Sequence, residues 1–430
     1  MRWLKWTLVA AWLGLHALLW TLLPPVPLAR VAGDVCQFSA DGRQLITNTD
    51  RIIREYDVES GGLLREWQAD LQDPRNFYAW ESSARGRRAV IYNDEGDCVL
   101  IDFDSGSQTR LPNLGDGGLL RSIELTPDGR KLVHGRVRPK GFEHQLRIYD
   151  IDSGGERLVD LAGKPNHVRI APDGQMAAVT CGEILGIVSA GELNVYFIDL
   201  ATGEIRGRDT VRGRWCLRSG FSPDSKYFAA DLSGPGFSDN LISGVCVWEA
   251  ASAKIIARIP DCYFDGWRSD GQFLGRRSLD VIIDPRTGSE QPISPQPGVP
   301  SGVEMDRSGK VLLVNEELRA PEGIAALLSW LGAAQRKDYS SDFRCYDLSG
   351  RELIRVQSRS ANQFATEISP DGRHLAISPP VEDGTINLFD IPPRKPGGIV
   401  LGLIIIEVTL VIAWTSWRRR LFRCRYNRAK

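Results

Sequence analysis

The sequence predicts an all-β fold, a single β-propeller of eight four-stranded antiparallel sheets, flanked by two transmembrane α-helices. Three observations predict it. A tight polar turn, in its clearest form Ser-Pro-Asp-Gly-Arg, recurs every 40 to 50 residues, roughly the spacing of propeller blades. Strand-like runs surround each turn, and most units close on an aromatic-acidic pair. An apolar run of about 20 residues, enough to cross a bilayer core as a helix, lies near each end of the chain.

The first predicted element is a signal-anchor helix within residues 1–27. Its apolar run, residues 4–23, follows Arg2 and overlaps Lys5. The run is longer than the apolar core of a typical signal peptide, and no good small-x-small cleavage site precedes Asp34. We therefore favour an uncleaved transmembrane anchor over a cleaved signal peptide.

The last predicted elements are a transmembrane helix over residues 399–417 and a basic tail over residues 418–430. The tail has six arginines and one lysine and no acidic residue. Because lysine and arginine accumulate on the cytoplasmic side of a membrane, both termini are expected in the cytoplasm. The sequence therefore predicts a two-pass protein of the cell (inner) membrane, with residues 28–391 outside the cytoplasm.

Residues 28–391 form the predicted propeller. In each unit a short apolar strand ends in the polar turn, because glycine adopts positive φ readily and aspartate bonds its own backbone there. A second strand, a third strand ending in an aromatic-acidic pair, and a more polar fourth strand follow, and four such strands make a blade. Five turns are clear, at residues 39–43, 126–130, 171–175, 222–226 and 369–373, and three are weaker, at residues 84–87, 269–271 and 307–309.

Closure of the ring follows from the last unit, which has three strands before Pro392 and Pro393. Residues 28–32 are expected to supply its fourth strand. Both chain ends would then leave the face that carries the Asp-Gly turns, through proline-rich connectors that include the linker at residues 392–398. Eight blades is the predicted number, and seven is the alternative if the weak unit around residues 84–92 merges with a neighbour.

Long connections between second and third strands fall at residues 136–144, 181–192, 231–244 and 315–342, all on the face opposite the chain ends. Functional residues of repeat proteins concentrate on such a face. In the longest insert, residues 321–331 read as a short helix with an apolar face. This face packs on the propeller or presents Leu327, Leu328 and Trp330 to a protein partner; the second interpretation is our partner-binding hypothesis.

A second hypothesis concerns the two predicted membrane helices. His16 and Glu407 lie seven and eight residues from the outer ends of their spans. Since polar side chains within a bilayer usually face a partner, a hydrogen bond between His16 and Glu407 is expected. The alternative is that each side chain is tolerated separately, through water or snorkelling.

Composition and motifs argue against several functions. The 430-residue chain has a net charge of −1, which gives no sign of nucleic acid as a partner. It has no nucleophile elbow, zinc-protease motif or phosphate loop, so we predict no catalytic, cofactor-binding or metal-binding residues. Seven cysteines are scattered through the propeller and are expected to be buried; a disulfide between Cys246 and Cys262 is an alternative that sequence cannot decide.

The turns and aromatic-acidic pairs resemble those of the WD40-type propellers, especially bacterial relatives with Ser-Pro-Asp-Gly-Arg turns. Only Trp248-Glu249 approaches the Trp-Asp pair of that family. The resemblance implies the fold and not the partner-binding rules of that family; because catalytic motifs are lacking, we expect a non-catalytic protein-binding or scaffolding module. Residues 56–61 followed by Trp67 also resemble a docking motif of the eight-bladed quinoprotein dehydrogenases, which makes such an enzyme one alternative; a ligand sensor is another.

Overall fold

The structure is a computed structural model. It describes most of the predicted propeller and a few residues of the two apolar runs. The described residues are 12, 14, 25–33, 35–49, 52–70, 78–83, 87–93, 96–112, 122–137, 144–182, 192–212, 215–233, 244–276, 280–292, 302–305, 311–318, 340–347, 351–358, 366–378, 384–394, 404–409 and 411–414.

In the described part of the chain, thirty-two strands form eight four-stranded antiparallel sheets, here called blades 1 to 8. Blades 1 to 4 contain β2 (Val35–Phe38), β3 (Gln44–Thr49), β4 (Ile52–Asp57) and β5 (Leu63–Gln68); β6 (Tyr78–Ser82), β7 (Arg88–Asn93), β8 (Cys98–Asp102) and β9 (Gln108–Leu111); β10 (Ile123–Leu125), β11 (Lys131–Val137), β12 (His144–Asp150) and β13 (Glu156–Leu161); and β14 (Lys164–Ile170), β15 (Met176–Gly182), β16 (Glu192–Asp199) and β17 (Ile205–Arg212).

Blades 5 to 8 contain β18 (Trp215–Phe221), β19 (Tyr227–Ser233), β20 (Gly244–Glu249) and β21 (Lys254–Pro260); β22 (Tyr263–Trp267), β23 (Phe273–Arg276), β24 (Asp280–Ile283) and β25 (Glu290–Pro292); β26 (Gly302–Met305), β27 (Val311–Leu318), β28 (Ser340–Asp347) and β29 (Glu352–Ser358); and β30 (Thr366–Ile368), β31 (His374–Ile377), β32 (Thr385–Asp390) and β1 (Ala29–Ala32). The eight-bladed prediction is confirmed. The weak unit forms blade 2 by itself, so the seven-bladed alternative is wrong.

The polar turns close the first hairpin of a blade by local hydrogen bonds. In blade 1 the Ser39 hydroxyl donates to Asp41 Oδ1 at 2.7 Å, and the Arg43 N–H donates to the same oxygen at 3.1 Å. Gly42 has a φ of 71°, which glycine adopts without strain. The hydrogen bond from Ser39 lowers the pKa of the Asp41 carboxyl. These turns therefore have a sufficient structural role, as the sequence predicted.

The apolar core lies between blades, where the flat faces of neighbouring sheets pack together. Between blades 4 and 5, for example, the Phe197 and Phe228 rings meet edge to face with centroids 5.8 Å apart, beside the fully buried Trp248. The seven described cysteines are buried, and none of them forms a disulfide. The Cys246–Cys262 disulfide is therefore not formed, and burial raises the pKa of the Cys246 thiol to about 11.

The ring closes by pairing the two ends of the propeller. β1 pairs antiparallel with β32, with Val31 opposite Ile386, so the closing strand predicted at residues 28–32 is confirmed. Just outside this pair, the Val26 N–H donates to the Arg394 carbonyl at 3.0 Å. The chain therefore enters and leaves the propeller side by side at the edge of blade 8.

Strand direction assigns the connections to two faces. The first-to-second and third-to-fourth turns of every blade lie on one face, here called the turn face, where β1 begins and β32 ends. The second-to-third connections lie on the opposite insert face. Strands extend further into the inserts than predicted: β27 and β28 stay paired as far as Leu318 and Ser340, so the longest connection spans residues 319–339.

Outside the propeller, residues 12, 14, 404–409 and 411–414 are helical. Among the residues that the structure describes, no helix combines the length and the apolar character needed to cross a membrane. The two transmembrane helices therefore stay predictions.

Candidate functional site

The first strands of the eight blades surround the axis of the ring. Neighbouring first strands lie close together: β14 contacts β18, and β18 contacts β22. Each pairs with its second strand on one side only, so its other edge carries unpaired backbone N–H and C=O groups toward the axis. The groups that form hydrogen bonds with this inner edge therefore determine the chemical character of the surface around the axis.

Glutamate side chains satisfy the inner edge at two described junctions. Glu124 of blade 3 accepts from the Ile170 N–H of blade 4 at 2.6 Å, and Glu367 of blade 8 accepts from the Phe38 N–H of blade 1 at 3.1 Å. In both, the glutamate lies two residues before the first residue of the polar turn, and the N–H lies one residue before it. A carboxylate of one blade thus binds the free edge of the next.

Three consecutive blades lack an acceptor side chain at this position. Aligned by their turns, the positions in blades 1 to 8 are Gln37, Glu81, Glu124, Arg169, Gly220, Gly266, Glu304 and Glu367. Arginine is only a donor, and glycine has no side chain. In blades 4 to 6 the sequence therefore provides no carboxylate for the inner edge of the following blade.

A recess of about 600 Å³, here called the channel pocket, lies at these blades. It is lined by first strands of blades 4 to 6 and by the turn prolines of blades 3 to 5, so it opens on the turn face. Its lining residues are Pro127, Arg169, Pro172, Arg218, Ser219, Gly220, Phe221, Pro223, Phe264, Asp265, Gly266 and Trp267.

Backbone N–H donors face this pocket. The Ser222 N–H bonds to the Tyr227 carbonyl at 2.8 Å within blade 5, so the N–H of the preceding Phe221 points away from the second strand. In blade 6 the Arg268 N–H donates to the Gln272 carbonyl at 2.8 Å, so the N–H of the preceding Trp267 also points away from the second strand. These two groups correspond to the N–H groups that the glutamates bind at other junctions.

Two arginines line the channel pocket. The Arg169 guanidinium pairs with Glu124, and its Nε donates to the Ser219 carbonyl at 3.0 Å. The Arg218 guanidinium pairs through Nη1 with the fully buried side chain of Asp265. Within the part of the chain that the structure describes, Nη1 is the only atom of the half-exposed Arg218 guanidinium that donates to an acceptor.

The charge of the channel pocket favours anions. Asp265 is shared by two cations, since Arg276 Nη2 also lies 3.4 Å from its Oδ1. The charged side chains that line the pocket are Arg169, Arg218 and Asp265, an excess of one positive charge; Arg276, Glu124 and Asp231, whose Oδ1 accepts from the Arg218 N–H at 2.8 Å, are not part of the lining. Burial raises the pKa of the Glu124 carboxyl, against the opposing effects of Arg169 and the Ile170 N–H.

One wall of the channel pocket is aromatic. The Phe264 and Trp267 rings meet with centroids 6.0 Å apart, and the Trp267 indole Nε1 donates to the Gly220 carbonyl at 2.8 Å. A Cβ atom at Gly220 would lie 3.5 Å from Phe264, an ordinary contact, so the backbone leaves room for a side chain there. The pocket thus combines cations, backbone N–H donors and an apolar surface on rigid strands.

The residues predicted from the sequence as functional are not among the described residues that line the channel pocket. Leu327, Leu328 and Trp330 of the insert, and His16, lie outside the described residues. Glu407 lies in the helical segment 404–409, where its Oε2 accepts from the Trp12 indole Nε1 at 2.5 Å. The two apolar runs therefore meet at Glu407, and the predicted His16–Glu407 pair stays a prediction.

Trp67, part of the motif that resembles a quinoprotein docking sequence, has a structural role. Its side chain is buried on β5 and packs against Phe103 of blade 2 with ring centroids 5.2 Å apart. Among the described residues, no three histidine, cysteine or acidic side chains lie close enough together to hold a metal ion.

No known family and no curated protein matches the sequence. Solved structures match the fold at low identity. The computationally designed Ika8 protein is 12% identical, with a TM-score of 0.56 over 86% of this chain and 99% of the designed chain. Hydrazine synthase of Kuenenia stuttgartiensis is 14% identical, with a TM-score of 0.47 over 85% of this chain and 97% of that chain. The similarity to the designed protein shows the fold alone.

Proposed function

We propose that this protein is a non-catalytic binding module: an extracytoplasmic propeller of the WD40-like type, anchored in the cell (inner) membrane, that binds a protein partner. The observation that carries the binding function is the channel pocket. It gathers arginine guanidinium groups, free backbone donors and aromatic surface on strands held rigidly by the ring. Such a recess suits recognition, because ligand sites are concave and contain few, well-positioned polar groups.

Anchoring is supported by the two ends of the chain. The Val26–Arg394 hydrogen bond holds the two segments that flank the propeller together on the turn face. In the helical segment near the carboxyl end, Ile405, Val411 and Trp414 are all more than half exposed, as expected of lipid-facing side chains. Glu407, the ionisable group of this segment, has a partner on the other run.

Cysteine cross-linking tests the anchoring. In a Cys424→Ser background, the pairs Trp12→Cys with Glu407→Cys and His16→Cys with Glu407→Cys should both form intramolecular disulfides in membranes. The seven propeller thiols are buried and act as an internal negative control. Failure of the first pair to cross-link, while the protein still fractionates with membranes, would contradict the contact between the two runs.

The protein partner is proposed to contact the insert face through Leu327, Leu328 and Trp330. Affinity purification in mild detergent should recover a partner with the full-length protein and lose it when residues 321–335 are deleted. The deletion lies between the paired ends of β27 and β28, so the fold should persist, with an unchanged far-ultraviolet circular dichroism spectrum. Recovery of the same partner after deletion would exclude the insert as the contact.

A further inference from the structure

We propose that the channel pocket binds a carboxylate joined to an apolar group, and that this carboxylate takes the place that glutamate holds at other blade junctions. The proposal deepens the proposed function, since it names the chemistry that the module recognises. It begins with the junctions from blade 3 to blade 4 and from blade 8 to blade 1, where the protein supplies the carboxylate itself.

The vacant place is defined by the repeat. Glu124 and Glu367 bind the N–H group one residue before the turn of the following blade. At the next two junctions after Glu124, the corresponding donors are the N–H groups of Phe221 and Trp267, and the acceptor is replaced by Arg169 and Gly220. The Arg169 side chain occupies the first of these places, where its Nε donates to the Ser219 carbonyl, so a ligand carboxylate at the Trp267 N–H, beside Gly220, would restore the bond that the repeat makes elsewhere.

The surroundings select a carboxylate and an apolar body. Arg218 is half exposed and donates only through Nη1 to Asp265 among the described residues, so its remaining N–H groups can bind an anion. The aromatic rings of Phe221, Phe264 and Trp267 line the same recess. A volume of about 600 Å³ holds more than a carboxylate, which leaves room for a side chain or ring against these aromatics.

The pocket is also accessible in an anchored protein. It lies at blades 4 to 6, and blade 4 is directly across an eight-bladed ring from blade 8, where the chain enters and leaves. A ligand can therefore enter the turn face on the side away from the anchors. The carboxylate is carried either by a small molecule or by an acidic side chain of a protein segment, and the probes below separate these sources.

The test uses the full-length protein in detergent and isothermal titration calorimetry. The probes are 3-phenylpropionate, its neutral amide, and a blocked Gly-Phe-Glu-Gly peptide whose only carboxylate is the glutamate side chain. Both carboxylate probes should bind, and the amide should bind about tenfold more weakly or worse, because it loses a charge-assisted hydrogen bond. Binding of the free acid without the peptide assigns a small-molecule ligand.

Two variants and a control locate the binding. Gly220→Glu supplies the missing carboxylate from the protein, as in other blades, and should abolish binding; Arg373→Gln, which changes an exposed arginine in the turn of blade 8 outside the pocket, should leave binding unchanged. Arg218→Gln should weaken binding about tenfold or more, while Asp265 keeps Arg276 as a partner. Arg218→Gln also tests the proposal if the Gly220→Glu variant does not fold.

The outcomes separate this proposal from the proposed function. Equal binding of acid and amide, no binding of either carboxylate probe at millimolar concentration, or unchanged affinity in folded Gly220→Glu or Arg218→Gln would overturn the carboxylate proposal. A partner captured by the full-length protein and lost on deletion of residues 321–335 would still support the binding module in that event. If the probes bind but the purification recovers no protein partner, the result would support the carboxylate proposal and not the proposed protein-binding function.

Discussion

Removing two methyl groups from the closing strand should open the ring locally at blade 8. Val31 is 2% exposed and packs with Ile386 and Leu388 in the core between blades 8 and 1. In Val31→Ala, the lost burial of two methyl groups at about 0.8 kcal/mol each, with the cavity left behind, should cost about 2 kcal/mol. An unfolding entropy of roughly 2.1 cal/mol/K per residue over about 360 residues converts this to a fall in Tm of about 3 °C.

Hydrogen exchange locates the opening. β1 is joined to the rest of blade 8 only through its pairing with β32, so it can detach without moving another strand. A local loss of about 2 kcal/mol should speed exchange of the amides in β1 and β32 about 30-fold, with little change in blades 3 to 5. Mass spectrometry of peptic fragments measures this directly.

Val159→Ala provides the matched control. Val159 is a buried valine (6% exposed) on β13, the fourth strand of blade 3, which is covalently continuous with its own blade. It should lower Tm by a similar amount and speed exchange in blade 3 instead of blade 8. Equal acceleration around the whole ring in Val31→Ala, or no acceleration at β1 and β32, would refute the local opening of the closure.

Two other changes have expected outcomes. Gly61 and Gly288 have nearly equal φ values, 65° and 67°, but an added Cβ would lie 2.2 Å from Ala29 Cβ at the first and meet nothing within 4 Å at the second. Gly61→Ala should therefore lower Tm clearly more than Gly288→Ala, which should cost about 1 kcal/mol; equal losses by calorimetry would contradict the contact. Hydrogen bonds from the Ser60 and Ser153 hydroxyls lower the pKa values of Asp57 and Asp150 in the folded state. The ionised carboxylates thus stabilise the fold above the unfolded pKa of about 3.9, and Tm should fall as pH drops from 5 to 3, less steeply in the double Asp→Asn variant.

The blade number and ring closure were predictable because they depend on local patterns. Each polar turn fixes one hairpin, and a last unit with three strands requires a fourth from the other end of the chain, which β1 supplies. The predicted bounds of the longest insert begin at residue 315, because polar residues such as Glu316 and Glu317 do not have the pattern of a strand. Pairing with β28 extends β27 through both.

The channel pocket was not predicted, although its signal is present in the sequence. Glu124, Arg169 and Gly220 are ordinary residues when each is read alone. Their meaning appears only when the units are aligned on their turns and the inner edge of one blade is considered with the next. That edge is a tertiary feature, since it brings together residues about 45 positions apart, roughly one repeat.

The side-by-side entry and exit of the chain also determine how the propeller responds to mechanical force. β1 and β32 run antiparallel, and their free ends lie at the same edge, beside the Val26–Arg394 hydrogen bond. A force that separates the two flanking segments therefore loads the backbone bonds of this pair one at a time, from the turn face inward, as in unzipping. A force that pulls both segments in the same direction, away from the propeller, loads blade 8 as a unit. The ring should therefore withstand a larger force in this direction than a force that separates the two segments.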